Sequence, residues 1–324
     1  MRFSTQDWLK ELNNAAVIDG SMSTALERLG CQLGDRLWTA RCLAEKPELV
    51  KTVHLNYFRD GADCGITASY QATIPGLLAA GYSQEEAGRI ITSAVEIFQK
   101  ARAQWWEEEG KAQGRVWPLC LGAIGPYGAY LADGSEYRGA YGISDDELYR
   151  FHKRRAELIW NAGADVLLFE TQPSLKEVLV EARIAEELGA DYWISFSCRD
   201  GRHICEGDLI RDCAVTLSEG FPHLRMIGVN CTKPEYIRSL IGEIQKGISI
   251  PVAVYPNSGE IYDPATKTWH GAADGRPFRE YAEIYYESGA AAVGGCCTTC
   301  DEHIRQVAEV RDAFLKKPIR KIMP

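Results

Sequence analysis

Residues 163–198 read GADVLLFETQPSLKEVLVEARIAEELGADYWISFSC, and this stretch decides the fold. The apolar runs at 164–171 and 191–198 are continuous rather than alternating, as strands of a parallel sheet covered by helices require. Residues 174–188, which lie between the runs, have the apolar spacing of an amphipathic helix. A glycine precedes each run, where it supplies the left-handed cap that ends a helix. The stretch therefore predicts a strand, a helix and a second, parallel strand.

The same unit recurs along the chain. Eight apolar runs have the length and composition of buried strands: 15–20, 64–70, 116–124, 164–171, 191–198, 225–231, 251–257 and 290–297. Helical periodicity separates them, most clearly at 85–103, 145–161, 174–188, 234–245 and 302–314. This order predicts an α/β fold, a TIM-type (β/α)8 barrel forming a single domain over residues 1–324, with its active site at the carboxyl ends of the strands. A doubly wound open sheet is the alternative fold.

The composition excludes several classes of protein. Of the 324 residues, 46% are hydrophobic and 25% are charged, which is ordinary for a globular protein. The net charge is −9 and no basic run is longer than residues 153–155, so we expect no nucleic-acid partner. No apolar run could span a membrane, and the first residues do not resemble a signal peptide. We expect a cytoplasmic protein without a membrane partner, whose state as monomer or homodimer the sequence leaves open.

Two connections are longer than simple turns. They span residues 125–144, after the third strand, and 256–279, after the seventh. Both are rich in Tyr, Gly, Asp and Ser, and loops of this length tend to be lids or binding loops. Because both follow the carboxyl end of a strand, we expect them to cover the mouth of the barrel.

Polar residues concentrate at the predicted strand ends. They are Asp19, Ser69, Tyr70, Gln71, Glu170, Thr171, Asn230, Cys231, Tyr255, Asn257, Cys296 and Cys297. In a barrel, the carboxyl ends of all strands meet at one mouth, so thiols, carboxylates and phenols should converge there.

The eleven cysteines differ by context. Their odd number in a long chain favours a reducing compartment over a disulfide framework. Five lie within predicted elements or at their flanks, where we expect small buried hydrophobic side chains: Cys31, Cys42, Cys64, Cys120 and Cys213. Cys198 and Cys205 remain undecided, since either could line the cavity.

Cys231, Cys296 and Cys297 form the most informative group. They follow the sixth and eighth strands, which flank the seventh, so their side chains could meet on one ion. Three thiolates with a fourth position open are typical of a catalytic zinc site. The alternatives are a C-x-x-C redox pair formed by Cys297 and Cys300, or inert thiols. Thr299 and Glu302 predict a capping box that places Cys300 in the first turn of the next helix.

Other catalytic motifs are absent from the sequence. There is no G-x-G-x-x-G, no Walker loop, no H-E-x-x-H and no G-x-S-x-G. The six histidines give no ligand pair, and His152 is expected on a solvated helix face.

Seven motifs carry a family resemblance. They are DGSMST (19–24), ASYQAT (68–73), GPYGAYLADGSEYRGAYG (125–142), FETQPS (169–174), GVNCTKP (228–234), YPNSGEIYDPATKTW (255–269) and GGCCTTC (294–300). Together they resemble the homocysteine S-methyltransferases that use S-methylmethionine or S-adenosylmethionine, and the match runs from about residue 12 to residue 315. One departure is Cys300, since these enzymes usually have a Thr/Pro-rich stretch after GGCC.

The resemblance implies a site. Zn²⁺ would be held by Cys231, Cys296 and Cys297, and the sulfur of homocysteine would take the open position. Glu170 and Asp19 would anchor the ammonium group of the substrate. The remaining expected substrate-binding residues are Ser69, Gln71, Asn230, Tyr127 and Tyr255. The alternatives are that Glu170 stabilises the N-terminus of the next helix and that Asp19 is a turn residue before Gly20.

The resemblance also implies small-molecule partners, namely L-homocysteine and a sulfonium donor. S-methylmethionine is expected to be preferred to S-adenosylmethionine, and neither betaine nor methyltetrahydrofolate should serve. Tyrosines and Trp269 on the long loops could contact the cationic donor through their rings. Two other functions remain open: a thiol redox or zinc-storage protein that uses Cys297 and Cys300, and a selenocysteine methyltransferase of the same family.

Overall fold

The computed structural model describes residues 4–33, 37, 39–259 and 276–317, together with the backbone of residues 261–263 and 268–270. The strands are β1 (Ala16–Val17), β2 (Cys64–Ile66), β3 (Leu119–Ile124), β4 (Val166–Gln172), β5 (Tyr192–Phe196), β6 (Leu224–Asn230), β7 (Val252–Tyr255), β8 (Ile261–Asp263), β9 (Thr268–His270) and β10 (Ala292–Val293). The helices are α1 (Thr5–Glu11), α2 (Met22–Arg28), α3 (Thr39–Glu45), α4 (Pro47–Arg59), α5 (Ile74–Ala79), α6 (Gln84–Trp105), α7 (Tyr127–Leu131), α8 (Asp145–Asn161), α9 (Leu175–Glu187), α10 (Ile210–Gly220), α11 (Pro234–Gln245), α12 (Phe278–Glu287) and α13 (Asp301–Lys316). A π-helical turn (Trp106–Gly110) and a 3₁₀ turn (Ser135–Tyr137) complete the assignment.

Eight strands form a parallel sheet in the order β1-β10-β7-β6-β5-β4-β3-β2. The two ends of this sheet meet, since Ile18 pairs with Cys64 and the N–H of Asp63 donates to the carbonyl of Val17 at 2.8 Å. The sheet is therefore a barrel, as predicted, and the open-sheet alternative is wrong. Strands β8 and β9 form a separate antiparallel hairpin in the connection after β7.

The predicted helices and their glycine caps are confirmed. Helices α6, α8, α9, α11 and α13 lie within two residues of the predicted spans. Gly61, Gly163, Gly189 and Gly289, each before a strand, have φ of +105°, +99°, +60° and +93°. At Gly61 a second constraint applies, because a Cβ atom there would lie 2.5 Å from the Cβ of Ala308.

Side chains fill the barrel and close its amino-terminal end. Val166 and Leu168 of β4 point into the barrel, whereas Leu167 and Phe169 pack against the surrounding helices. Helix α1 covers the bottom, where the rings of Trp8 and Trp193 are 6.2 Å apart. Because this end is packed with apolar side chains, a polar site has room only at the opposite end.

Five cysteines are confirmed as buried packing residues: Cys31, Cys42, Cys64, Cys120 and Cys213. Within the described ranges, no helix combines the length and the apolar character needed to cross a membrane.

Candidate metal centre and active site

Three thiols meet at the carboxyl ends of the strands. The Sγ atom of Cys231 lies 3.6 Å from that of Cys297, and the Sγ atoms of Cys296 and Cys297 are 4.0 Å apart. All three sulfurs lie within 4.8 Å of one another. Tetrahedral coordination with zinc–sulfur bonds of about 2.3 Å separates sulfurs by about 3.8 Å. The spacing of the three thiols therefore fits one tetrahedral metal ion.

The backbone around these thiols is held by hydrogen bonds. Cys231 directly follows β6 and has a left-handed φ of +46°, which is uncommon outside glycine and clusters at functional sites. The N–H of Cys296 donates to the carbonyl of Pro256 at 2.7 Å, and the carbonyl of Cys297 accepts from the N–H of Ser258 at 3.2 Å. The segment after β7 thus fixes the segment after β10, so the cysteines of two separate strand ends face each other.

The three thiols shift one another's pKa values. Hydrogen bonds from Cys296 and Cys297, together with one from Tyr137, hold the pKa of the Cys231 thiol well below its usual range. The pKa of Cys297 is raised by its contacts with Cys231 and Cys296 and by burial. A bound divalent cation would allow all three thiols to ionise, so the donor set suits a metal such as zinc.

A cavity opens above the thiols. Its wall comes from the strand ends and from the long loop after β3: Gly20, Ser21, Met22, Ser23, Thr39, Ile66, Thr67, Ala68, Tyr70, Gln71, Glu136, Tyr137, Glu170, Thr171, Cys231, Tyr255, Gly295, Cys296 and Cys297. Among these described lining residues there is no Lys, Arg or His, although two of them are glutamates. The cavity is therefore built for a ligand that carries positive charge.

Glu170 lies in the wall of this cavity. Its side chain projects from β4 and is 6% exposed. Burial raises the pKa of the carboxyl well above its usual range, and the nearby Cys231 and Asp19 raise it further. Helix α9 begins five residues later and takes its cap from Ser174, so Glu170 does not stabilise the N-terminus of that helix.

Asp19 lies below the cavity, at the seam between β1 and β2. Its Oδ2 atom accepts the N–H of Ile66 at 3.0 Å, and the residue is 1% exposed and absent from the cavity wall. Burial raises the pKa of the Asp19 carboxyl well above its usual range. The side chain of Asp19 thus adds a hydrogen bond to the seam of the barrel. It is also close enough to Glu170 to raise the pKa of the Glu170 carboxyl.

Asn230 connects two strand ends to the thiol group. Its Oδ1 accepts the N–H of Thr171 at 2.8 Å, and its Nδ2 donates to Thr171 Oγ1 at 2.8 Å and towards Cys296 Sγ at 3.8 Å. Thr171 has a φ of +60°, a strained conformation for a β-branched residue. The amide of Asn230 therefore holds this backbone and orients a thiol, although it does not itself line the cavity.

Replacing Asn230 by alanine should weaken metal binding by about ten- to a hundredfold, as loss of groups that orient metal ligands commonly does. The change also leaves the buried N–H of Thr171 unpaired, which we expect to cost about 1 to 3 kcal/mol of folding stability. Metal titration and urea unfolding measure the two effects. Asn230→Asp, which keeps Oδ1, should recover most of the stability, and unchanged metal affinity in both variants would contradict this role.

Three further predicted residues have different positions. Gln71 and Tyr255 line the cavity, with Gln71 Nε2 donating to the carbonyl of Ala129 at 2.6 Å. Ser69 is fully buried and donates to the carbonyl of Ala123 at 2.7 Å, so it joins β2 to β3 below the cavity.

Tyr127 lies outside the cavity wall. Its ring packs among Tyr130, Tyr141 and Phe151, with centroid separations of 5.0–5.7 Å, and it does not reach the cavity wall. Its backbone N–H donates to Glu177 Oε1 at 2.6 Å. Tyr127 therefore anchors the first turn of the loop rather than the ligand.

The loop at residues 125–144 does cover the mouth, as predicted, and it carries residues that the sequence reasoning missed. Glu136 and Tyr137, in the 3₁₀ turn, line the cavity beside Tyr70. Burial raises the pKa of Glu136 to about 7. The sequence contained one signal for Glu136, namely that it is an acidic residue inside a loop expected to cover the mouth of the barrel.

The first turn of α13 differs from the prediction. The N-cap is Cys300 and the capping residue three positions later is His303, so the Thr299–Glu302 capping box is wrong. Thr299 Oγ1 instead donates to the carbonyl of Cys296 at 2.6 Å. The Sγ atom of Cys300 lies 3.1 Å from His303 Nδ1 and is not part of the three-thiol group. Cys198 and Cys205 are also absent from the cavity wall.

His152 is fully buried, which overturns its expected place on a solvated helix face. Its Nε2 lies 2.7 Å from Glu177 Oε1, and its Nδ1 is 3.0 Å from Nη2 of Arg155. Burial lowers the pKa of His152, which favours the neutral ring. His152, Glu177 and Glu181 could together hold a metal ion. However, the guanidinium of Arg155 already supplies the positive charge that balances the two glutamates. Arg155 also donates to the carbonyl of Gly125, so the cluster anchors the loop over the mouth.

The predicted ring contact of Trp269 lies outside the described residues, since only the backbone of β9 is described there.

The parallel barrel and the three-thiol group at its mouth define a TIM-barrel enzyme with a metal-binding centre. The family model described as homocysteine S-methyltransferase matches residues 16–311, and the chain belongs to this family. It is 50% identical over 293 residues to homocysteine S-methyltransferase YbgG of Bacillus subtilis (strain 168), covering 90% of this chain and 93% of the relative. It is 40% identical over 316 residues to selenocysteine Se-methyltransferase of Brassica oleracea var. italica, covering 94% and 91%.

A solved structure has the same fold. The homocysteine methyltransferase MmuM from Escherichia coli, in its metallated form, superimposes with a TM-score of 0.83 at 37% sequence identity. The match covers 93% of this chain and 99% of that chain. The barrel therefore corresponds over nearly its whole length to a member of this family that has been crystallised with metal.

Proposed function

We propose that this protein transfers a methyl group from a sulfonium donor to the sulfur of L-homocysteine and so forms methionine, with zinc as its metal. One observation carries the proposal: three thiols with the spacing of a tetrahedral site open into a cavity that has two buried carboxylates and, among its described lining residues, no basic side chain. Family membership supports the acceptor, and the chemistry of the site supports the metal and the charge of the donor.

Cys231, Cys296 and Cys297 would hold the zinc, which soft thiolate ligands favour over magnesium or calcium. Bound there, zinc would lower the pKa of the substrate thiol, so that the nucleophilic thiolate is present at neutral pH. Asn230 keeps Cys296 oriented, and the backbone hydrogen bonds from Cys296 to the carbonyl of Pro256 and from Ser258 to the carbonyl of Cys297 keep the cysteine backbone in place.

Glu170 would bind the ammonium group of homocysteine. A desolvated carboxylate gains most from a cation that enters the same cavity, and Glu170 has a neighbouring phenol, Tyr255, but no basic neighbour in the cavity wall. Asp19 is buried and is not among the residues that line the cavity, so it would act from below by adding negative charge.

The reaction needs little proton transfer. A carbon–sulfur bond forms between homocysteine and the methyl carbon, while the bond from that carbon to the donor sulfur breaks. The electron pair of the broken bond stays on the leaving sulfur, which becomes a neutral thioether. Because the leaving thioether is neutral, no general acid is required, and because the homocysteine thiol would lose its proton to solvent on binding, the transfer step would need no general base. This agrees with a cavity whose described wall contains no histidine. The loop at residues 125–144 would exclude water.

A donor-by-acceptor activity matrix on zinc-loaded protein tests the proposal. We expect kcat/KM with L-homocysteine to be higher for S-methylmethionine than for S-adenosylmethionine, because a loop folded over the mouth closes better on a compact donor. Betaine and methyltetrahydrofolate should give no turnover. A higher value for S-adenosylmethionine would overturn the donor preference, and turnover with betaine alone would overturn the sulfonium class.

Selenocysteine belongs among the acceptors in this matrix, because a relative at 40% identity is a selenocysteine Se-methyltransferase. A higher kcat/KM for selenocysteine than for homocysteine would assign the chain that function instead.

A further inference from the structure

Glu136 is a buried carboxylate that forms no ion pair with any residue that the structure describes. It is 7% exposed and lines the cavity, and its Oε2 atom has no hydrogen-bond partner among the described residues. The nearest basic residue in sequence, Arg138, is largely exposed and pairs with Asp133 at 3.5 Å. A desolvated and unpaired carboxylate is costly to the fold, so its presence in a cavity points to a cationic group on the ligand.

The turn that carries Glu136 is firmly held. The hydroxyl of Ser197 donates to the carbonyl of Glu136 at 3.0 Å, and Asp133 Oδ1 accepts the N–H of Ser135 at 3.0 Å. Helix α7 packs directly on the turn, since a Cβ atom at Gly128 would lie 2.6 Å from the nitrogen of Glu136. The backbone that carries the carboxylate is therefore fixed over the cavity by contacts with α7 and with the segment after β5.

The two glutamates that line the cavity, Glu170 and Glu136, belong to different parts of the fold. Glu170 projects from strand β4 in the barrel wall, whereas Glu136 belongs to the loop that covers the mouth. In a displacement at the methyl carbon, the leaving sulfur lies on the side opposite the attacking sulfur. The donor therefore extends away from the cysteines and towards the covering loop.

We propose that Glu136 binds the α-ammonium group of the methyl donor. This inference rests on the proposed function and adds the residue that recognises the amino-acid end of the second substrate. The α-ammonium is a better partner than the sulfonium, because the sulfonium loses its charge as the methyl group leaves. A contact with the sulfonium would weaken in the transition state and slow the reaction, whereas a contact with the ammonium persists throughout.

The test compares Glu136→Gln with the parent enzyme, both zinc-loaded. For S-methylmethionine we expect KM to rise about ten- to a hundredfold with kcat nearly unchanged, as loss of a charge-assisted contact made equally in ground and transition states requires. The KM for homocysteine and the zinc content should not change. Glu136→Asp, which keeps the charge, should recover part of the loss.

A matched donor separates the two cationic groups. 4-(Dimethylsulfonio)butanoate keeps the sulfonium and the carboxylate of S-methylmethionine but lacks the ammonium. We expect the parent enzyme and Glu136→Gln to handle it equally, as a substrate or as a competitive inhibitor. Asp133→Asn is the control on the same loop, because its amide oxygen can still accept the N–H of Ser135, and it should behave as the parent enzyme.

Three results would overturn the inference: an unchanged KM for S-methylmethionine in Glu136→Gln, an equal loss with both donors, or a rise in the KM for homocysteine instead. A parent enzyme that turns over no sulfonium at all would refute the proposed function itself, and the inference with it.

Discussion

Replacing Cys297 by serine should remove the metal and reduce methyl transfer by more than about a hundredfold, the upper range for loss of an outer-shell partner. The Sγ atom of Cys297 lies 3.6 Å from that of Cys231 and 4.0 Å from that of Cys296. A serine hydroxyl stays protonated and is a poor zinc ligand, so two thiolates would remain where three are needed. Metal analysis after dialysis should show one zinc per parent chain and almost none in the variant.

Cys300→Ser is the matched control. Cys300 lies three residues after Cys297, and its Sγ atom contacts Nδ1 of His303 rather than the three-thiol group. Its replacement should therefore leave zinc content and activity near those of the parent. Full metal content in Cys297→Ser would refute the assignment of the ligands. Loss of activity in Cys300→Ser with zinc retained would instead favour the thiol redox alternative.

Replacing Glu170 by glutamine or alanine should weaken homocysteine binding by about 1.5 to 3 kcal/mol, or roughly ten- to a hundredfold in affinity. The reason is that the substitution removes a charge-assisted contact with the ammonium group. Strand β4 offers the cavity no second carboxylate that could replace this contact. Calorimetric titration of zinc-loaded protein with homocysteine measures the loss, and the zinc content should be unaffected.

Asp19→Asn provides the comparison for Glu170. Its amide oxygen can still accept the N–H of Ile66, so the barrel seam should survive while one negative charge below the cavity disappears. We expect a smaller loss of homocysteine affinity than in Glu170→Gln. An equal or larger loss would show that Asp19 contacts the substrate directly, and unchanged affinity in Glu170→Gln would remove Glu170 from the substrate site.

The sequence predicts the barrel well because its local signals agree with one another. Continuous apolar runs, helical periodicity and glycine caps all indicate the same order of elements, and the structure has strands and helices within a few residues of each. The convergence of Cys231 with Cys296 and Cys297 follows from that order alone, since β6 and β10 flank β7 and parallel strands bring their carboxyl ends to the same rim.

The direction of individual side chains is less predictable. Ser69 and Asp19 stand at strand ends, but the hydroxyl of Ser69 donates to Ala123 and one carboxyl oxygen of Asp19 accepts from Ile66, both below the cavity. Tyr127 joins an aromatic cluster because the loop folds back on α8. Glu136 reaches the cavity through a 3₁₀ turn that is positioned by contacts with distant strands, which neither periodicity nor spacing reports.

The arrangement of the ligands has a consequence for how the chain assembles. Cys231 follows β6, whereas Cys296 and Cys297 follow β10, and β7 pairs with both of these strands. The three thiols therefore meet only when β6 and β10 flank β7, although Cys231 and Cys297 are 66 residues apart in sequence. Cys231 alone cannot complete the site, so full metal affinity requires both pairings. Bound metal would then stabilise the folded chain by mass action, so that it fastens two distant segments of the chain together as well as forming part of the active site.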